Sequence, residues 1–506
     1  MVSKKTLKLG LLVPLFGWLY VTILGLRLDL YHAAFVVVLM AWLARLPKVI
    51  GLSLFSVLVG AAALYYPTMV RFGPPSLSVV AAAVNTNARE SYEFLQRVAL
   101  VDYLLPLLFL LVAGLFYRYV RALQQPRPLW LAGLVLLLLL PDLINDDRDY
   151  NKVVLTYKEG LFSVRSYRKE RTMLYQAASQ PPSWQVTAVK PKYRHYVVII
   201  GESTRRDHMS VHGFPLNTTP FLATSKGLFL TDMVAPSYST YFSLPYMLTL
   251  SRAGRVEGNN NIVTLARAAG FKTHWYSNQG FMGAADTDIA ALALQADDYA
   301  FLKKGEWSFE NHDDFMLLPK LTEALNQPSE GPKLIVLHLM GTHFQFCDRL
   351  FPGDVRLVDV NPELSCYASA VRKMDEFIKR THAALAASGQ PFSLNYFSDH
   401  GLSYEGTDAK SHGLVHNSAY KENYEIPFLF LSSDDTHQRL NPARKSGFDY
   451  LKAYAEWLGI SVEELAQQPS FWANGREATQ VYTREGMVSF DDLPRDAQPQ
   501  RTYGQR

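Results

Sequence analysis

Tyr196-Val197-Val198-Ile199-Ile200-Gly201-Glu202-Ser203-Thr204 is the stretch on which the fold turns. Five apolar or aromatic residues, mostly β-branched, stop at a glycine, and a carboxylate and two hydroxyls follow at once. A half-exposed strand alternates apolar and polar side chains, so an unbroken apolar run predicts a strand buried on both faces. The pattern returns further on. Leu334-Ile335-Val336-Leu337 runs into His338-Leu339-Met340-Gly341-Thr342-His343, and residues 392–397 run into Ser398-Asp399-His400-Gly401. Residues 426–431 form another such run, and helical patterns lie between, at 261–269 and 367–388. Fully buried strands alternating with helices predict an α/β domain with a mainly parallel sheet, in which ligands gather beyond the carboxyl ends of the strands.

Each strand end delivers a carboxylate or an imidazole. Glu202, Asp399 and His400 offer two oxygen ligands and one nitrogen ligand. That set suits a divalent cation such as zinc, with a position left for a hydroxyl or a substrate oxygen. His343 and His412 add either a second metal position or acid–base capacity. Singly, an Asp-His pair reads as a turn and a Glu after a strand as a helix start; their meeting at several strand ends is what points to a metal centre. His338 directly follows an apolar run and reads as structural, while His208 and His416 stay open.

The chain has 506 residues, enough for roughly three domains at ~150 residues each. Its overall 49% hydrophobic content hides an asymmetry, because residues 1–142 are mostly apolar. Uncharged stretches cover 9–26, 30–44, 49–70, 103–117 and 128–141. A spanning helix needs about 20 apolar residues, so the first and third qualify alone. The others join them because so little polar sequence separates the five. Trp18, Trp42, Tyr65, Tyr66, Tyr103, Tyr117 and Trp130 lie near the ends, as interfacial aromatics do. The expectation is a membrane domain of five spans. Lys4, Lys5, Lys8, Arg45, Lys48, Arg118, Arg121 and Arg127 fall on one side, whereas the opposite connections are mixed and end in Asp142, Asp146, Asp147 and Asp149. The positive-inside rule then puts the N-terminus in the cytoplasm and the large C-terminal domain outside. No small-residue cleavage site follows the first apolar run, which reads as an uncleaved anchor.

Residues 143–190 form a linker rich in Arg and Lys, either an interfacial helix or a solvated one. Residues 191–490 are expected to form the α/β domain that carries the candidate metal ligands, and 491–506, polar with Pro494 and Pro499, read as a disordered tail. Cys347 and Cys366 are the only cysteines. An oxidising compartment favours their pairing over two free thiols, and two cysteines exclude both a disulfide-dense scaffold and a four-cysteine zinc site. A net charge of +4 is too small to make nucleic acid a partner.

The stretch from Val197 through Gly201-Glu202-Ser203-Thr204-Arg205-Arg206-Asp207 to His208, with Asn217-Thr218-Thr219-Pro220 after it, resembles the phosphoethanolamine transferases of bacterial envelopes, members of the alkaline-phosphatase/sulfatase-like superfamily. The likeness continues through Ser239-Thr240-Tyr241-Phe242-Ser243-Leu244-Pro245-Tyr246-Met247, His338 to His343, Phe397 to Gly401 and Ser411-His412-Gly413. It covers essentially the whole chain, since the family also carries five spans before an exported catalytic domain.

The resemblance implies a set of roles. Thr240 falls on the nucleophile; Glu202, Thr240, Asp399 and His400 fall on the ligands of one tight zinc site; His343 and His412 fall on the substrate-side histidines. Thr86 and Glu90 resemble the family's ethanolamine-binding patch. They lie one helical turn apart, and the plainer reading is an exposed polar face. The implied reaction moves phosphoethanolamine from phosphatidylethanolamine to a lipopolysaccharide core or lipid A, or to another envelope glycan, through a phospho-threonine intermediate at the bacterial inner membrane. Ser237, Tyr238 and Tyr246 stand where many lipid A-modifying members carry cysteines, and Ala82 lies near an expected asparagine. The signature around Glu202 looks closer to the core- and glycan-modifying branch. The rivals are a phosphoglycerol transferase, a phosphodiesterase with water as acceptor, and a non-catalytic membrane-anchored lipid or glycan binder. A sulfatase is disfavoured because its Cys/Ser-x-Pro-x-Arg motif is absent around Thr240.

Overall fold

The computed structural model describes residues 4–76, 79–80, 83–84, 88–123, 128–144, 151–178, 180–252, 255–281, 288–304, 311–405, 413–473 and 478–499. The chain divides into two units, one running to Lys169 and the other taking up Glu170–Arg506 together with the short piece Asn87–Arg89. The division falls inside the helix Lys152–Ala178, so much of the stretch read as a linker is regular helix.

The first unit is helical, with Lys4–Ile23, Leu30–Arg45, Lys48–Phe72, Ala88–Arg97, Leu100–Ala122 and Pro128–Ile144 preceding that helix. Lys48–Phe72 and Leu100–Ala122 are long and apolar enough to cross a membrane. Of the other three expected spans, Leu11–Ile23, Leu30–Arg45 and Pro128–Leu140 are apolar but shorter. Aromatic packing holds the unit: Phe16 stacks on Phe116 at 4.1 Å between ring centroids, and Tyr20 meets Phe109 edge-on at 5.3 Å. Arg121 donates to the carbonyls of Ala44 and Leu46, both at 3.1 Å, while Arg45 donates to those of Val120 and Leu123. Each arginine thus satisfies the open carbonyls at the other's helix end, a favourable place for a cation. Both arginines belong to the basic set from which the sequence predicts a cytoplasmic N-terminus. Tyr157 donates to the Leu58 carbonyl at 3.0 Å and meets Tyr20 at 2.8 Å, so the start of Lys152–Ala178 packs into this unit.

The second unit is built on a nine-stranded sheet. Its strands are β1 (His195–Gly201), β2 (Gly227–Val234), β3 (Lys272–Phe281), β4 (Asp298–Lys304), β5 (Lys333–His338), β6 (Phe392–Ser398), β7 (Glu425–Ser432), β8 (Gln438–Asn441) and β9 (Lys445–Ser446). The order is β8-β2-β7-β6-β1-β5-β3-β4, with β9 also on β2. Every residue of β1, β5 and β6 is buried. Side-chain alternation sends Tyr196, Val198 and Ile200 into one core and Val197 and Ile199 into the other. The continuous apolar run is therefore the mark of a two-faced sheet, each such Val or Ile contributing about 1.5–3 kcal/mol by its burial.

The sheet is mixed: six of the eight pairings between its described strands are parallel, in keeping with the mainly parallel expectation, and two are antiparallel. β6-β1-β5-β3-β4 is parallel throughout, but β7 is antiparallel to both β6 and β2. A parallel return needs a crossover, usually a helix. Between β6 and β7 the described residues hold a short hairpin, Ser403–Glu405 with Gly413–Val415, and a single turn at Lys421–Asn423, so β7 runs back beside β6. A correction concerns the tail. Asp496 is buried, and its side chain pairs with Arg205, so ordered structure continues into the segment read as disordered.

Candidate metal centre

Register brings the centre together. β1 pairs Gly201 with Ser398 of β6, so the next residue on each strand, Glu202 and Asp399, leaves the sheet at the same level. Gly201 is required there: a Cβ would lie 2.8 Å from the Tyr396 hydroxyl. Gly341, after β5, has φ +52°, and a Cβ on it would lie 2.9 Å from the Glu202 nitrogen. Ser203 adopts the left-handed conformation at φ +56°. Such a backbone costs about 1–3 kcal/mol and persists only when its surroundings enforce it. Here the Ser203 amide donates to Asp399 Oδ1 at 3.0 Å, its hydroxyl donates to Glu202 Oε1 at 2.8 Å, and its carbonyl accepts from the Tyr367 hydroxyl at 2.8 Å.

Glu202, Asp399 and His400 are buried, and one ligand atom from each lies within 4.8 Å of the others. His400 Nδ1 meets the Gly401 carbonyl at 2.6 Å. A carbonyl only accepts, so Nδ1 carries a proton and Nε2 is turned to the carboxylates, at 3.4 Å from Glu202 Oε1 and 3.5 Å from Asp399 Oδ2. Thr240 is the first residue of the helix Thr240–Leu248. Its hydroxyl donates to Asp399 Oδ2 at 2.6 Å and lies 3.1 Å from Glu202 Oε2 and 3.4 Å from His400 Nε2. Ser243, one turn on, locks that helix to the strand end by donating to the Asp399 carbonyl at 2.6 Å. A helix N-terminus favours negative charge, which suits a phosphoryl group or an alkoxide at Thr240.

The electrostatics show what the centre lacks charge-wise. Burial disfavours the charged form of all three groups, yet the Asp399 and Glu202 carboxylates push the His400 pKa up to about 9. Burial and the neighbouring Glu202 charge push Asp399 up to about 6. Burial also opposes ionisation of Glu202, but the hydrogen bond and charge of His400, together with hydrogen bonds to Asp399 and Ser203, outweigh this and hold it below the usual carboxylate range. Two buried carboxylates thus hold a proton on the neighbouring imidazole. A divalent cation would supply that positive charge instead, and an O,O,N donor set with the Thr240 oxygen as fourth donor fits zinc.

Two more histidines lie within electrostatic reach of the centre. Burial, with Arg349 and Lys303 adding to it, pushes the His343 pKa down to about 3, and its buried Nδ1 has no hydrogen-bond partner among the described residues. His416, left open by the sequence, is brought in: its ring lies 4.7 Å from that of His400, its Nδ1 meets the Tyr238 carbonyl at 3.2 Å, and burial pushes its pKa down to about 3. His208 is tied instead to the Tyr404 hydroxyl at 2.7 Å and Asp207 at 3.0 Å. His338 closes β5, buried in the sheet with Ser277 at 3.5 Å. His412, Thr86 and the Glu90 side chain lie outside the described residues. Cys347 and Cys366 form a disulfide joining the loop after β5 to the helix Pro362–Ala387. Asp314, missed in the sequence, holds that loop by accepting from the Met340 and Gly341 amides at 2.8 and 2.9 Å.

Residues 194–460 match the Sulfatase family. The chain is 35% identical over 457 residues to the phosphoethanolamine transferase OpgE of Escherichia coli, covering 86% of this chain and 85% of that protein. It is 33% identical over 361 residues to a putative phosphoethanolamine transferase of Haemophilus influenzae, covering 68% and 72%. Among solved structures, the integral membrane lipooligosaccharide phosphoethanolamine transferase A of Neisseria meningitidis shares the fold over 90% of this chain and 95% of its own, at 16% identity and a TM-score of 0.63. The zinc complex of the periplasmic domain of E. coli EptC covers 62% of this chain and 98% of its own, at 23% identity and a TM-score of 0.53. With the alkaline-phosphatase-like fold in place, the chain belongs to the phosphoethanolamine transferases of the sulfatase family.

Proposed function

We propose that the chain is a membrane-bound enzyme that moves phosphoethanolamine from phosphatidylethanolamine to lipopolysaccharide or another envelope glycan through a covalent intermediate on Thr240. One observation carries this reading. The Thr240 hydroxyl donates at 2.6 Å to Asp399, at a helix N-terminus and beside the three-residue donor group.

Glu202, Asp399 and His400 would hold a zinc ion, with Thr240 as a further oxygen. When bound, zinc supplies Lewis acidity that lowers the hydroxyl pKa and offsets phosphoryl charge. The remaining chemistry belongs to the chain. The Thr240 hydroxyl is aimed by Asp399, which is placed to take its proton. The Thr240 oxygen bonds to phosphorus, the bond from phosphorus to the diacylglycerol oxygen breaks, and that oxygen leaves with a proton. In the second half an acceptor hydroxyl or phosphate oxygen bonds to the same phosphorus, and Thr240 is released with its proton restored. Covalent catalysis splits the transfer, so donor lipid and bulky acceptor need not share the site. His343 and His416 are neutral at pH 7: His343 offers a lone pair and an N–H for phosphoryl oxygens, whereas His416, whose Nδ1–H is donated to the Tyr238 carbonyl, offers the Nε2 lone pair as a ligand for a second cation. His412 is proposed to join them, and Thr86 with Glu90 to receive the ethanolamine ammonium.

The five apolar helices are proposed to cross the inner membrane with the N-terminus in the cytoplasm and the catalytic unit in the periplasm. The Cys347–Cys366 disulfide supports an oxidising compartment for that unit. Both the donor and the first product are then lipids, which explains a membrane-bound enzyme. Incubating the detergent-purified protein with phosphatidylethanolamine and weighing it intact tests the reading. Wild type should gain one phosphoethanolamine and Thr240→Ala none. A gain of phosphoglycerol from phosphatidylglycerol instead would replace it with the rival transferase.

A further inference from the structure

Arg205 lies three residues past Glu202, and its side chain is fully buried. Its guanidinium makes contacts that the chemistry above does not use. Nη1 donates to the Leu402 carbonyl at 3.0 Å, two residues past His400. Nε and Nη2 donate to the two oxygens of Asp207 at 2.8 and 2.7 Å. The plane also lies over the Tyr404 ring, 4.5 Å from its centroid. Arg205 therefore bridges the loop that carries Glu202 and the loop that carries Asp399 and His400. A buried guanidinium is costly unless paired on every side, and the remaining side is closed from far away in sequence. Asp496, whose side chain is fully buried, pairs with Nη1 and, at 3.4 Å, with Nη2.

Asp496 is itself held. Its carboxylate accepts from the Tyr404 amide at 2.7 Å, and its own amide donates to Glu422 at 2.9 Å. Arg495 donates to Glu422 at 2.9 Å and to Glu425 at 2.9 and 3.1 Å, and the Pro494 carbonyl accepts from the Lys421 amide at 3.0 Å. The Glu422 carbonyl in turn packs on Gly401, where a Cβ would come within 2.2 Å. The segment around Pro494–Asp496 thus touches both loops.

We infer that this C-terminal segment is a strap that positions the metal centre, with Asp496 as the positioning residue that holds Arg205 across the two ligand-bearing loops. The inference rests on reading Glu202, Asp399 and His400 as the metal site. Loss of the Asp496 charge leaves Arg205 ion-paired to Asp207 on the Glu202 loop without its anchor on the strap, so the spacing between Glu202 and His400 relaxes while the ligands themselves remain.

The test is zinc affinity of the full-length protein in detergent, measured by competition against a chromophoric chelator, with melting temperature in parallel. Asp496→Asn should bind zinc about tenfold to a hundredfold more weakly than wild type, the range that support around ligands commonly supplies. Asp496→Glu, which keeps the charge, should recover part of that loss. Leu458→Val, in the opposite core, should lower the melting temperature without changing zinc affinity. Should Asp496→Asn fail to fold, Arg205→Lys takes its place, since an ammonium cannot reach Leu402, Asp207 and Asp496 at once. Wild-type affinity in the folded variant overturns the strap alone. An equal loss of affinity in Leu458→Val also overturns it, as general destabilisation. A wild type that binds no zinc overturns the metal reading and the strap together.

Discussion

Replacing Tyr367 by Phe removes one oxygen and probes the most constrained part of the centre. The Tyr367 hydroxyl donates to the Ser203 carbonyl at 2.8 Å and accepts from the Arg205 amide at 2.8 Å. Both groups are fully buried, so the deletion leaves one backbone acceptor and one backbone donor without that partner. Each such group costs roughly 1–3 kcal/mol, and with some relaxation the pair should cost about 3 kcal/mol. For a unit of roughly 340 residues, at about 2.1 cal/mol/K of unfolding entropy per residue, 1 kcal/mol moves the melting temperature by about 1.4 °C, so a fall of roughly 4 °C is expected. Ser203 is also released from one of the contacts enforcing its φ of +56°, and its amide serves Asp399, so zinc affinity should fall with stability. Tyr396→Phe is the matched comparison. That hydroxyl makes one long bond, 3.3 Å to Thr204, and its loss should cost about 1 kcal/mol or less. Thermal melting of both variants with zinc present decides the matter. A Tyr367→Phe protein that melts within about 1 °C of wild type, or no lower than Tyr396→Phe, would refute the reasoning.

Acid should destabilise the catalytic unit in part through His338, whose pKa burial pushes down to about 4. The unfolded chain takes up that proton first as pH falls through about 6.5, so stability present above 6.5 is lost progressively towards pH 4. In His338→Phe the slope of stability against pH over that window should be shallower, and an unchanged slope in urea titrations would count against the assignment. Chelation should lower the melting temperature of wild type and zinc should restore it, whereas Asp399→Asn should respond to neither; an equal response in both would place the metal elsewhere. Cys347→Ser/Cys366→Ser should cost about 3 kcal/mol, as expected for opening a loop of that length, read by melting without reductant.

The parts of this architecture that were legible in sequence are those whose burial is complete. β1, β5 and β6 announce themselves because every side chain in them is inside, and the residues that follow them meet because neighbouring parallel strands end at one level. Strand direction was not legible for β7. Its apolar run is as continuous as the others, and only the lack of a crossover helix after Asp399 among the described residues turns it around. His416 could not be assigned because a loop and a hairpin separate it from His400, and nothing local marks a histidine that folds back onto another. Tyr367 reads as one aromatic among many on a helix, and Asp496 as one acid in a proline-bearing tail. Their roles lie in partners 164 and 291 positions away, which no periodicity reports. In the helical unit, composition identified five apolar stretches, but length singles out Lys48–Phe72 and Leu100–Ala122.

The account stands or falls on Thr240, so the decisive measurement is the intact mass of wild type and Thr240→Ala after incubation with phosphatidylethanolamine and zinc. A gain of one phosphoethanolamine on wild type alone is the predicted result. An equal gain on both proteins, or no gain on a folded, zinc-loaded wild type, would contradict it.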